Sequence, residues 1–355
     1  MRTKDKQKYP FVSIIVANWN SLRFKGLLDE FFESIFNLEY PSDRYEVIVV
    51  DNGSTDTSYN YIKERYHKVK LIKLDKNYGF TKANNIGASF ARGKFLALIN
   101  NDTVLDKKWL IEMMKYASKN ADNIYCSKML RYDKRKIICF NGGKLLRWGW
   151  TKPIQSFEED KSNVSNPFLS FYADGCGTLI SKKLYFELGG FDEYYHTYCE
   201  DYSLSWKALL YGHKIYCIPK SKFYHNISTT MGSRSSFVIY LLWRNRLRNI
   251  IKYPEILTLI IMLPSYIACS IFTFIAIYLY QEKNGSLIYP IIKAHIRVLF
   301  ELSMLINERR KIQANRKISD KELFNSGLMI SFSESIRMSL NFIKYRNRFL
   351  KEINN

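Results

Sequence analysis

Acid is scarce in this chain: 33 Asp and Glu stand against 54 Lys and Arg, leaving a formal net charge of +21 and a pI near 9.5. The excess points to an anionic partner, whether nucleic acid, a phosphorylated ligand or an acidic membrane surface. Cysteine is also sparse, six residues with neither a CxxC pair nor the compact spacing of a disulfide framework. Reduced intracellular thiols are therefore expected. The charged residues 1–8 and the short apolar run 11–17, which has no small-residue cleavage site, lack the pattern of a secretory leader, so no signal peptide is expected. Internal repeats and low-complexity tracts are absent. One long hydrophobic run is present: Ile256–Tyr280 carries no charged residue, long enough to cross a hydrocarbon core of about 30 Å or to lie partly embedded in it.

With 355 residues the chain has room for one large domain with an appendage, or for two domains. Its first hundred residues repeat a unit of strand, polar loop and helix. Residues 12–17 read as a buried strand, Asn18-Trp19-Asn20-Ser21 offers helix caps, and Phe24, Leu27, Leu28, Phe31, Phe32 and Ile35 recur at helical spacing. The unit recurs at residues 46–51, after which Asn52-Gly53-Ser54 turns into a helix expected over 55–66, with Ser54 as its cap. Residues 69–74 form a third short strand. Asn77-Tyr78-Gly79-Phe80 breaks it, and 81–92 reads as a helix closed by Gly93. A fourth strand, 95–99, ends in Asn100-Asn101-Asp102. This alternation predicts a mostly parallel sheet with helices on both faces.

Beyond Asp102 the pattern loosens. Residues 109–117 are helical, and the stretch from Asn141 to Trp150 suggests loops or antiparallel strands. The signal recovers at 174–180, followed by a short helix to Leu188, Gly189-Gly190-Phe191-Asp192-Glu193, Glu200-Asp201, a helix over 202–211, a strand over 214–218, and His225. From Phe237 the composition shifts: Arg244, Arg246, Arg248 and Lys252 precede the uncharged run, which Pro264 interrupts, and residues 288–306 and 328–350 are amphipathic and basic. A boundary near residue 235 is expected, with a helical, membrane-seeking region over 236–355.

Asn18, Asp51 and Asp102 each follow a strand, so a parallel sheet lines them along one edge. There Asp51 can accept from a pyrimidine base, and Asp102 can hold a divalent metal, because Mg²⁺ on a diphosphate needs only one or two carboxylates. Asp51-Asn52-Gly53 and Asn100-Asn101-Asp102 are also common turns, and Asp201 is equally a candidate helix N-cap. The order and spacing of these groups favour the functional reading.

Three blocks, VIVVDNGSTD at 47–56, NYGFTKANNIG at 77–87 and LINNDT at 98–103, resemble the donor half of the family 2 inverting glycosyltransferases. Gly189-Gly190-Phe191-Asp192-Glu193, then Glu200-Asp201, then His225, are similar to its acceptor half, closest to the rhamnosyltransferase-like members. The resemblance covers about residues 10–250. It implies a GT-A fold, Rossmann-like, with a donor half over 10–105, an acceptor half over 106–235 and membrane-associated helices behind. It implies transfer from a nucleoside diphosphate sugar, of the dTDP-rhamnose or UDP-sugar type, to a hydroxyl of a glycan or lipid-linked glycan. Asp51 would contact the base, and Asn18, Asn52, Ser54, Asn77, Gly79, Asn84, Asn85 and Asn101 would lie near base, ribose and phosphates. Asp102 matches the last acid of the family's metal triplet, for Mn²⁺ or Mg²⁺, with His225 as a second metal contact. Asp201 matches the catalytic base, and Glu200 would orient the acceptor or the metal site. Two departures stand out: Asn100 replaces the triplet's leading acid, and the frequent Glu-Asp-x-Asp has become Glu200-Asp201-Tyr202-Ser203.

Basic residues interleaved with aromatics at 240–248 suit nucleic acid or a solvated helix face. Joined to the adjoining apolar run, they favour anionic lipid on the cytoplasmic leaflet, at about 1 kcal/mol per cation near the surface, and no nucleic-acid partner is expected. Because both flanks of the run are basic, a Pro264-broken hairpin or an interface-lying helix suits it better than a single crossing; a buried core helix pair is the other option. The alternatives to an enzyme are a basic nucleic-acid-binding protein on a nucleotide-binding-like fold and a non-catalytic membrane scaffold. The sequence specifies neither the sugar, nor the linkage, nor the oligomeric state.

Overall fold

The computed structural model describes residues 9–161, 165–226, 235–280 and 288–354; residues 1–8, on which the leader expectation rests, lie outside them. The strands, in chain order, are β1 (Val12–Asn18), β2 (Tyr45–Asp51), β3 (Val69–Lys73), β4 (Phe95–Leu98), β5 (Thr103–Leu105), β6 (Ile124–Arg131), β7 (Ile138–Phe140), β8 (Gly143–Leu145), β9 (Thr151–Pro153), β10 (Phe168–Leu169), β11 (Thr178–Ser181) and β12 (Ile215–His225). The α-helices are α1 (Lys25–Phe36), α2 (Ser58–Arg65), α3 (Phe80–Ser89), α4 (Trp109–Ala117), α5 (Lys182–Glu187), α6 (Glu200–Leu210), α7 (Ser236–Lys252), α8 (Ile256–Tyr280), α9 (Ile288–Phe300), α10 (Leu302–Ala314), α11 (Asp320–Asn325) and α12 (Phe332–Asn354).

One sheet runs in the order β10-β12-β6-β11-β4-β1-β2-β3, with β5 added beside β12 and β7 beside β6, while β8 and β9 form a separate ribbon. β1, β2 and β4 are continuous apolar runs because helices cover both of their faces. On one side α1 buries Leu28, Phe31, Phe32 and Ile35 completely, each such side chain contributing about 1.5–3 kcal/mol. The parallel pairing β4-β1-β2-β3 matches the sequence expectation.

β11 is the exception in the middle of the sheet, antiparallel to both neighbours, with Thr178 opposite Leu98 and Cys126. A strand entering in the opposite sense brings the residues before it, from Asp174 to Gly177, to the edge where its parallel neighbours end. β5 likewise runs antiparallel to β12 and sets Thr103 opposite His225.

Several local expectations give way to tertiary contacts. α2 begins at Ser58, later than expected, because Ser54 turns back to Asp51 and leaves the helix uncapped by its side chain. Asn20 takes a left-handed conformation, φ 48°, and its Oδ1 accepts from the backbone N–H groups of Thr55 and Asp56 across the loop. α3 stops at Ser89, short of Gly93. Ile256–Tyr280 is one continuous helix through Pro264, which removes the broken hairpin from the two expected arrangements. Met262 and Tyr266, on the buried face of that helix, hold the segment to the body.

α7 is embedded in that body. Ser235 caps it through Val238 N–H, and the Asn245 side chain reaches the carbonyls of Tyr195, Thr197 and Tyr198. Arg248 is fully buried on Glu301, and Lys252 on Asp192 and Glu308.

Candidate active site

Parallel strands deliver their last residues to one edge, and Asn18 and Asp51 stand in register there. Asn18 Nδ2 donates to Asp51 Oδ1 at 2.7 Å, while its Oδ1 accepts from Asn101 Nδ2 at 2.6 Å. Asp51 also accepts the Ser54 hydroxyl at 2.6 Å and Ser54 N–H at 3.2 Å. The Asp51 carboxylate is thus engaged by internal donors and completely buried. It stands behind the cavity wall and fixes Asn18 and Ser54, whereas the sequence reading gave it the base contact directly.

Asn52 organises the next loop. Its Nδ2 donates to Asn77 Oδ1 at 2.9 Å and to the Gly79 carbonyl at 3.2 Å, and its Oδ1 accepts from Tyr78 N–H at 2.9 Å. Asn18, Asn52, Asn77, Gly79, Asn101, Asp102 and His225 all line one cavity of 590 Å³, together with Tyr198, Phe237 and Leu242. Asn84 and Asn85 do not reach it. Helix α3 carries both away from the loop: Asn84 donates to the Phe80 carbonyl, and Asn85 ties Tyr185 and Phe191.

A second cavity, of 350 Å³, shares Asn100, Tyr198 and His225 with the first and holds Asp174, Glu200 and Asp201. Asp201 Oδ2 accepts from Gly175 N–H at 3.3 Å and Oδ1 from Tyr202 N–H at 2.7 Å. Cys199, at φ 69°, is the N-cap residue of α6, so Asp201 sits inside the first turn and is not its cap. Burial and then the neighbouring Asp174 charge push the Asp201 carboxyl up to about 7. Burial, then Asp201, pushes Glu200 well above the ordinary carboxyl range, and burial raises Asp174. Three crowded acids under a low-dielectric roof cannot all ionise at neutral pH. One titrating near 7 is matched to removing a proton there.

His225 Nε2 lies 3.0 Å from Asp102 Oδ1. Burial alone would lower the imidazole, but the Asp102 charge and hydrogen bond outweigh it and raise it above its ordinary value. Among the described residues no three His, Cys, Asp or Glu side chains group as a metal site. Asp102 and His225 therefore supply two ligands at most, and the buried His225 Nδ1 has no hydrogen-bond partner. That donor set fits a divalent ion shared with a diphosphate, whose oxygens and water complete the coordination. The larger cavity of 950 Å³, near Lys134, Lys136 and Arg348, contains none of these strand-end groups.

Sequence reasoning missed Asp174, Tyr198 and the α7 wall. Asp174 precedes Gly-Cys-Gly and reads as a turn; only the reversed direction of β11 shows that it reaches the site.

Residues 13–185 match the model described as Glycosyl transferase family 2. Drosophila melanogaster N-acetylgalactosaminyltransferase 6 is 26% identical over 230 residues, covering 61% of this chain and 34% of that protein. Poly-beta-1,6-N-acetyl-D-glucosamine synthase of Staphylococcus epidermidis is 24% identical over 246 residues, 69% of this chain and 55% of that one. The chain thus spans about a third to about half of these relatives. Among solved structures, GalNAc-T7 with UDP, GalNAc and Mn²⁺ superposes with a TM-score of 0.56 at 19% identity, covering 68% of this chain and 48% of that one. TarS 1-349 of S. aureus in complex with UDP-GlcNAc gives 0.53 at 18%, covering 86% and 89%. These likenesses carry the fold, a GT-A-like curled sheet with flanking helices. Residues 13–185, just under half of the chain, are thus similar to the glycosyl transferase family 2 domain.

Proposed function

We propose that the protein transfers a sugar from a nucleoside diphosphate sugar to a hydroxyl of a glycan or lipid-linked glycan, with inversion. The observation that carries this is the meeting of two cavities at His225, one lined by the strand-end amides and Asp102, the other by Asp201 and its neighbouring acids. In the first, Asn18 and Asn52 bind the nucleoside and Gly79 lets the backbone approach it. Asp102 and His225 would hold a divalent ion, which when bound supplies positive charge to the leaving diphosphate. In the second, ionised Asp201 takes the proton from the acceptor hydroxyl as that oxygen attacks the anomeric carbon from the face opposite the diphosphate. Burial, and then the Asp174 charge, keep that carboxyl basic enough to do so near neutral pH.

The interior contacts of α7 support this reading over nucleic-acid binding. Arg248 and Lys252 are buried in ion pairs, Arg244 donates to the Tyr194 carbonyl and Arg246 stacks on Trp150, so these cations are committed within the protein. We place the reaction on the cytoplasmic side, where the six free cysteines stay reduced.

The test is a thermal-shift panel of nucleotide sugars with and without Mn²⁺, followed by mass spectrometry of the reaction with a glycan acceptor. UDP-GlcNAc and UDP-GalNAc come first, because the names of the relatives carry those sugars; dTDP-rhamnose is the third member. A Mn²⁺-dependent rise in melting temperature with one donor, and its sugar's mass added to an acceptor, is expected. Stabilisation by DNA and by none of the donors would overturn the proposal.

A further inference from the structure

Helix α8 has two unlike faces. Thr258, Met262, Tyr266 and Ser270 form a buried stripe against the body, with the Tyr266 hydroxyl donating to the Trp243 carbonyl at 3.1 Å. The opposite face is apolar and open: Leu257 and Phe272 are each 74% exposed, and Ile260, Ile271 and Ile275 are exposed beside them. Water does not tolerate so large an unpartnered apolar surface.

Two other helices leave similar stripes. On α9, Ala294 and Val298 are buried while Ile292, Ile296, Leu299 and Phe300 face outward, Phe300 at 83%. On α12, Phe332, Ile336, Leu340 and Ile343 are exposed. The three helices are tied together, Ser270 to His295 of α9, and Cys269 and Met338 of α12 in one apolar cluster. Cations border the stripes: Lys293 on α9, and Arg337, Lys344 and Arg346 on α12, all exposed, where α9 has no acid and α12 only Glu334 and Glu352. An apolar face edged by cations is complementary to anionic headgroups over acyl chains.

The geometry also decides the mode. From Thr258 to Ser270 the helix lies along the body for about 18 Å at about 1.5 Å per residue. The remaining residues, 271–280, reach about 15 Å, half of a hydrocarbon core of about 30 Å. A crossing would require stripping the buried stripe off the protein.

We propose that α8, α9 and α12 form a docking face for an anionic lipid surface, inserted shallowly into one leaflet without crossing it. Tyr240 of α7 stacks with Lys293, and Trp243 with His295, so α9 runs along α7 in the same direction. The start of α9 therefore lies toward the end of α7 that carries Phe237 and Leu242 on the cavity wall. Docked this way, the protein holds the Phe237 and Leu242 wall of its nucleotide-side cavity toward the lipid surface. Docking itself does not depend on the transfer reaction, so it is tested apart from it.

The purified 355-residue chain is floated with vesicles of phosphatidylcholine alone or mixed with phosphatidylglycerol. Retention on the mixed vesicles, about tenfold weaker on the neutral ones, is expected. Phe272→Glu combined with Leu340→Glu abolishes flotation while leaving the melting temperature unchanged. Should that pair fail to fold, Arg337→Glu with Lys344→Glu serves instead and removes the preference for phosphatidylglycerol. In sealed vesicles an impermeant amine reagent labels both Lys293 and Lys321. Protection of either until the vesicles are lysed means a crossing helix and overturns the proposal. So does absence of flotation together with a dimer in vesicle-free buffer that Phe272→Glu dissociates, which assigns the face to a second copy.

Discussion

His225 Nε2 sits 3.0 Å from Asp102 Oδ1 although 123 residues separate them in the chain. The pairing of β5 with β12 brings this about, because Thr103 lies opposite His225 and Asn226 N–H donates to the Asp102 carbonyl. The two side chains supply one oxygen and one nitrogen to any shared ion. Asp102→Asn and His225→Ala should each weaken Mn²⁺-dependent UDP binding by about tenfold or more, while metal-free UDP binding changes little. Calorimetry with and without Mn²⁺ measures both, and an equal loss in the two conditions would show that the pair is structural.

Asp201 lines the cavity that also reaches His225, but takes no part in the Asp102–His225 hydrogen bond. Its replacement by Asn keeps the shape and removes the basicity. The turnover number should fall by about 10²–10⁴ with nucleotide affinity nearly unchanged. The wild-type rate should climb as pH rises through about 7, since the carboxyl must lose its proton to act. A variant that retains the rising limb would move the base to another residue.

The same carboxyl makes a prediction about stability. Its folded-state pKa stands above its unfolded value, so the folded state binds the proton more tightly, and stability is lost as pH rises through about 7. Asp201→Asn, which never ionises, should therefore melt higher than wild type at pH 8. Below the unfolded carboxyl pKa the two proteins should melt together. Differential scanning calorimetry at both pH values checks the sign.

How much of this was legible in the sequence depends on the kind of interaction involved. β1, β2 and β4 were readable because each is an apolar run buried on both faces, and the helix of Leu28, Phe31, Phe32 and Ile35 because its spacing is local. Ser54 was misread as a cap because its preference for Asp51 depends on the tertiary placement of the loop, which no local pattern encodes. The hydrogen bonds that engage Asp51, from Asn18 at the end of β1 and from Ser54 in the loop after β2, depend on the pairing of two strands and are not visible in either segment alone. Asp174 stayed invisible for a topological reason, the antiparallel entry of β11 into a parallel sheet. The family resemblance groups Asn84 and Asn85 with Asn77 and Gly79, but in the structure helix α3 carries both away from the cavity lining.

Gly79 gives the most local test of the nucleotide-side loop. It holds φ +91°, a conformation that costs an L-residue roughly 1–2 kcal/mol, and an added Cβ would fall 2.6 Å from the His196 carbonyl and 2.4 Å from its Nδ1. The carbonyl is backbone, and it already accepts from Thr81 N–H at 3.2 Å, so it has no free direction to yield. Gly79→Ala should therefore displace the 77–79 loop, release the Asn52 side chain that holds it, and weaken UDP binding by about tenfold or more. Adding His196→Ala removes the ring but leaves the carbonyl in place, so the double variant should not recover. Gly26→Ala, in helix α1 with open space around its Cβ position, should by contrast leave UDP binding alone and raise stability by about 0.5–1 kcal/mol. UDP titration and melting curves on the three variants separate the effects, and full UDP affinity in Gly79→Ala would show that the loop does not touch the nucleotide.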